Sequence, residues 1–160
     1  MKRTSTIFLR TAIVFMGLGV LALCTLLLPV LWGDVAANFP EYSYAAYAVF
    51  SAMFVAAAPF FVGLYSAWRL LALIDKGMPF TKESAKTVKT IMYAAASISV
   101  IYIVSMPFFY IWGDTRDAPG LIVIGLVLVG APMVIAVFAS LLHRLISEAS
   151  DLKSENELTV

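Results

Sequence analysis

The stretch APGLIVIGLVLVGAPMVIAVFASLL, residues 118–142, runs for 25 residues without an Asp, Glu, Lys, Arg or His. Asp117 closes it on one side and His143 on the other. An α-helix rises 1.5 Å per residue and the hydrocarbon layer of a bilayer is about 30 Å thick, so roughly 20 apolar residues cross it once. The stretch is long enough for one crossing and far too short for two. Three similar windows precede it, Thr11–Gly33, Tyr42–Trp68 and Thr90–Gly113, of 23, 27 and 24 residues. Together the four take 99 of the 160 residues, which leaves only short polar pieces and no room for a separate soluble catalytic domain. The composition agrees: 62% hydrophobic and 13% charged residues, with a mean hydropathy of +0.94, lie well outside the makeup of a soluble domain. The chain therefore reads as an all-α integral membrane protein. It forms one domain over residues 1–160, with four transmembrane helices at 11–33, 42–68, 82–113 and 118–152 arranged as two antiparallel hairpins.

Basic residues set the orientation, because Lys and Arg accumulate in cytoplasmic loops. With the N-terminus inside, the inner segments hold Lys2, Arg3, Arg10, Arg69, Lys76, Lys82, Lys86, Lys89, Arg144 and Lys153, against Arg116 alone outside. Both termini are thus expected in the cytoplasm. Trp32, Phe39, Tyr42, Tyr44, Tyr47, Tyr110 and Trp112 crowd the outer ends, where amphipathic rings sit at headgroup level. The first apolar run exceeds the 7–15 residues or so of a signal-peptide core, so it is expected to stay as a span. Cys24, the single cysteine, follows Leu23 rather than a small residue, which argues for packing over lipidation.

The absence of charge inside the windows restricts the chemistry. Proton-coupled transporters and intramembrane hydrolases place ionisable groups at mid-depth, and none is available here. Thr25, Ser51, Ser97, Ser99, Tyr102 and Ser105 are the polar groups of note, and their hydroxyls are expected to bond their own helix or a neighbour. No catalytic constellation, cofactor motif or metal-ligand pattern is present; His143, the only histidine, has no second ligand within helical reach. A net charge of +1 and an acidic tail argue against direct nucleic-acid binding.

Pro29, Pro59, Pro107 and Pro132 lie one in the interior of each window. Each removes a backbone donor, freeing the carbonyls of Thr25, Val55, Ile103 and Leu128, so a kink is expected at each. Trp32-Gly33-Asp34 and Trp112-Gly113-Asp114 close the first and third windows alike, as either a parallel duplication or interface chemistry alone would produce. Ala48, Ala52, Ala56, Gly63 and Ala67 on the second helix, with Ala136 and Ser140 on the fourth, mark expected contact faces within the bundle or in a homo-oligomer.

The specific signals collect on the inner side. The loop Arg69–Lys89 carries five basic and two acidic residues. Gly77-Met78-Pro79-Phe80 reads as a turn, Thr81 as an N-cap and Lys82 as the start of the third helix. Lys82, Lys86 and Lys89 share a face, which either snorkels to anionic lipid or docks an acidic partner. From the end of the fourth window onward, Leu142, Leu145, Ile146, Ala149 and Leu152 keep a helical rhythm, with Glu148, Asp151 and Glu155 on other faces. This acidic extension is expected to fold on the basic loop or to bind a basic protein.

Ile74-Asp75-Lys76-Gly77-Met78-Pro79-Phe80-Thr81, the four helices and the ending Asp151-Leu152-Lys153-Ser154-Glu155-Asn156-Glu157-Leu158-Thr159-Val160 together resemble the bacterial membrane family called domain of unknown function 2975. The resemblance supplies no catalytic residues. It implies a location in the bacterial cell membrane. Genes of that family commonly lie beside one for a small helix-turn-helix regulator, which implies a membrane protein that holds or releases such a regulator. The lipid bilayer and that regulator are then the expected partners, with Lys82, Lys86, Lys89, Glu148, Asp151 and Glu155 as the expected docking residues. A small oligomeric transporter or efflux protein built around the proline kinks is the alternative.

Overall fold

The computed structural model describes residues 3–38 and 40–159. Lys2 at the inner end, the Phe39 anchor and Val160 lie outside the described residues, as do the side chains of Arg3 and Tyr42. The order is α1 (Arg3–Ala22), a π-helical segment (Leu23–Leu27), α2 (Leu28–Asn38), a 3-10 turn (Pro40–Tyr42), α3 (Ser43–Asp75), α4 (Lys82–Thr115) and α5 (Gly120–Leu158). Among the described residues there is no strand. Four helical stretches are long and apolar enough to cross a membrane: Thr4–Asn38, Ser43–Asp75, Lys82–Thr115 and Gly120–Leu158.

Every helix outlasts its uncharged window, because counting charge-free residues marks the lipid-crossing part and not the hydrogen-bonded ladder. The first departs most from expectation: it starts at Arg3 rather than near residue 11 and carries a π turn. Pro29 offers no N–H to the Thr25 carbonyl, and the ladder widens just before it. The Leu28 N–H donates to the Leu23 carbonyl, one residue beyond the α register, and the Thr25 hydroxyl donates to Leu21 O at 2.8 Å. At Pro59, Pro107 and Pro132 the helix runs on.

α4 packs along both α3 and α5, while the first span leans on α3. The centre and flanks differ accordingly: a third of the most apolar window is buried in α3 and α4 (33%), against 6% in the first span and in α5. Small residues make the close approaches, as they must where lipid gives helices no hydrophobic reason to associate. A Cβ on Gly63 would touch Ala94 Cβ at 3.5 Å, and one on Gly125 would stand 3.0 Å from both Met106 Sδ and Phe109 Cγ. Ala52 and Ala56 are buried as expected. Ser140 is not on a contact face within the bundle: it is exposed, and the helix phase buries Ala139, Ile146 and Ser150 instead.

Of the mid-membrane hydroxyls, Ser51, Ser97 and Ser105 donate to carbonyls of their own helices, like Thr25. Ser99 reaches across from α4 to Val129 O of α5 at 2.8 Å. At the end away from the termini, Trp32 stacks on Tyr47 with centroids 4.5 Å apart and Trp112 meets Phe50 edge-on at 5.4 Å. The two Trp-Gly-Asp motifs do different work. Gly33 faces open space, whereas a Cβ on Gly113 would meet Ile122 Cγ1 at 3.1 Å and Ala118 O at 3.2 Å.

Candidate functional site at the basic end

The end that carries the termini and the α3–α4 turn is built by a short, closed set of backbone bonds. Gly77, at φ +71°, takes the left-handed conformation that terminates α3. Its N–H donates to Ile74 O at 3.0 Å, and the Met78 N–H donates to Leu73 O at 3.0 Å, so two of the end carbonyls of α3 are satisfied. Thr81 then caps α4, accepting from the Ser84 N–H at 3.2 Å, as its position in the sequence predicts. Ser84, fully buried, donates its hydroxyl to Met78 O at 2.9 Å and locks the turn to the helix it precedes.

This turn aims the first two turns of α4 at residues 143–151 of α5. Between them lies a cleft of about 570 Å³ lined by Arg69, Lys82, Lys86, Lys89, His143 and Asp151, with Glu83, Ser147 and Ser150 completing the wall. One side of the helix pair is closed by Ala85, Val88, Ala139 and Ile146. His143 Nδ1 lies 2.8 Å from Ala85 O. A carbonyl only accepts, so Nδ1 carries the proton and Nε2 is left for other partners. Arg69 is ion-paired with Glu83. The Lys89 ammonium lies 5.9 Å over the Tyr93 ring.

The six expected docking residues separate into two groups. Lys82, Lys86, Lys89 and Asp151 share the cleft. Glu148 is turned to Arg144 at 3.0 Å, one turn earlier on α5, and Glu155 is exposed on the projecting helix. The apolar rhythm of that helix is divided too: Ile146 is buried, but Leu145 and Leu152 stand 62% and 67% exposed.

The charge pattern alone did not point to a second cluster. Asp75 at the end of α3 accepts from Thr6 Oγ1 at 3.0 Å and from Arg10 Nη2 at 2.9 Å, which ties the first span to the turn. The Arg10 guanidinium lies 5.2 Å over Trp68, and its Nε is buried without a partner. Arg69, Ser147 and Ser150 were also missed. The available signal was that Arg69, Lys89 and His143 are each the first ionisable residue beyond an uncharged window.

At mid-depth, a smaller cavity of about 230 Å³ lies against Val20, Cys24, Met53, Phe60, Tyr102 and Leu128. Its lining is apolar apart from one thiol and one phenol. Among the described residues no group of three His, Cys, Asp or Glu side chains is placed to hold a metal.

Comparison with known proteins agrees with this architecture. Residues 30–160 match the family described as Protein of unknown function (DUF2975). The chain is 49% identical over 160 residues, the full length of both proteins, to the "Uncharacterized membrane protein YoaS" of Bacillus subtilis (strain 168). No solved structure matches.

Proposed function

Since the chain belongs to DUF2975, a family of unknown function, and has four helices fit to cross a membrane, we propose that it is a non-enzymatic regulatory protein of the bacterial cell membrane. Both termini face the cytoplasm, and the projecting part of α5 holds a small, basic helix-turn-helix regulator. The observation that carries the reading is the face of the α5 extension that no other helix covers. From His143 to Leu158 the helix runs for about 24 Å beyond the last uncharged window. It presents Glu148, Asp151 and Glu155 alongside the exposed Leu145 and Leu152. Such a helix lays its leucines into a groove, and its carboxylates match a protein that must itself be positively charged to bind DNA. The turn at Gly77, fixed by its own hydrogen bonds, holds Lys82 on the same side of the bilayer, so loop and extension reach one partner together.

The test is co-purification in mild detergent with a Cro/repressor-type helix-turn-helix protein. Leu145→Gln with Leu152→Gln, and separately Glu148→Lys with Glu155→Lys, are expected to lower recovery at unchanged abundance in the membrane. The charge-reversal effect should shrink as salt rises, since exposed charges are screened beyond about 8 Å at physiological ionic strength. Equal recovery from the native chain and both variants sinks the proposal. A reporter active only in the cytoplasm should work at Gly77 and fail at Ala118; the reverse result overturns the orientation.

A further inference from the structure

Three neighbouring spans reach the same membrane boundary with their first ionisable residue, Arg69 on α3, Lys89 on α4 and His143 on α5, and all three line the same cleft. We infer that this cleft is a binding site for the headgroup of an anionic phospholipid, in the leaflet that the basic end faces, with Lys86 and Lys89 holding the phosphodiester. The ligand and the substituted residues differ from those of the regulator proposal, so either can fail alone.

Charge is the first argument. Arg69, Lys82, Lys86 and Lys89 face two carboxylates, and one of these, Glu83, is already engaged by Arg69. The other, Asp151, lies about 12 Å further along α5 than His143, at the aqueous mouth. Among the described residues neither Lys86 nor Lys89 has a carboxylate partner. His143, with its proton on Nδ1 held by Ala85 O, contributes no negative charge.

Depth is the second. Lys82 to Lys89 covers about 10 Å of helix. The headgroup layer on one side of a bilayer is roughly 5–8 Å thick. The cleft thus spans that layer, with Lys89 at its floor, where an ammonium on the Tyr93 ring is held at the level of lipid phosphates. Its volume of about 570 Å³ falls within the usual range for ligand pockets.

Continuity with an apolar surface is the third, and it separates a lipid from a soluble phosphate. Below Lys86 and Lys89, the same face of α4 continues through Tyr93, Ser97, Val100 and Val104, all exposed. A lipid seated by its phosphate lays an acyl chain along this strip, which a free anion leaves uncovered.

The experiment is native mass spectrometry of the full chain in detergent, titrated with phosphatidylglycerol, phosphatidylcholine or glycerol phosphate. The native protein is expected to retain one phosphatidylglycerol in preference to phosphatidylcholine, a result that requires no variant to fold. Lys86→Gln should weaken retention about fivefold, and Lys86→Gln with Lys89→Gln about 25-fold. The double Lys→Arg variant should keep it, and Lys153→Gln, an equal charge loss outside the cleft, should leave it unchanged. Equal retention of the two lipids, no loss in the double Gln variant, or an equal loss in Lys153→Gln overturns the site. Glycerol phosphate binding as tightly as the lipid would overturn the lipid assignment.

Discussion

Within their apolar stretches α4 and α5 meet directly through Gly125 and through the Ser99–Val129 bond; at the basic end the same pair, still joined through Val88 and Ile146, opens a cleft of about 570 Å³ on one side. Small residues serve where two backbones must touch in a solvent that does not push them together. Long charged ones serve where water and headgroups can receive them. One helix pair is therefore a structural joint over part of its length and a binding surface over the rest, and substitutions in the two parts should have different consequences.

The largest effect is expected from Gly125→Leu. Any side chain here must displace Met106 and Phe109, and overpacking of this kind costs about 1–3 kcal/mol. Unfolding by denaturing detergent in bicelles measures it, and unchanged stability would show that the joint is looser than the contacts imply. Next is Thr81→Ala at the basic end, where losing the N-cap of α4 costs about 1 kcal/mol. Its sharper consequence is for the cleft: a frayed first turn moves Lys82 and Lys86, so lipid retention should fall with stability. Ser99→Ala should cost roughly 0.6 kcal/mol, the typical worth of a hydroxyl bond between membrane helices. Ser97→Ala, which loses only a bond within its own helix, should cost less, and equal costs would remove the distinction between joint and surface. The smallest change is breaking Arg144–Glu148, an exposed pair at i and i+4, worth no more than about 0.5 kcal/mol. A larger loss would mean that Arg144 and Glu148 belong to the packed face of α5 rather than to its exposed one.

The spans and the turn between α3 and α4 were legible because each rests on local chemistry. Uncharged length is enough to identify a crossing, and Gly77 followed by Thr81 is enough to end one helix and start the next. The π segment was not, since Pro29 announces a lost hydrogen bond but not how the ladder absorbs it. The placement of Lys82, Lys86 and Lys89 on one face was also readable. Their meeting with Arg69, His143, Ser147 and Asp151 was not, because it depends on how α4 and α5 are rotated against each other, and Ala139 rather than Ser140 sets that phase. The link from Arg10 to Asp75 escaped for the same reason: the partners are separated by 65 positions and meet only once two spans are side by side.

That separation is also a delay. A ribosome adds about 5–20 residues each second, so Asp75 is made roughly 3–13 s after Arg10. Throughout that interval the first span has no counter-charge at its end and almost no protein to lean on. The bond from Arg10 to Asp75 that keeps the first span beside α3 is therefore a late contact, one that forms only after two spans have been made.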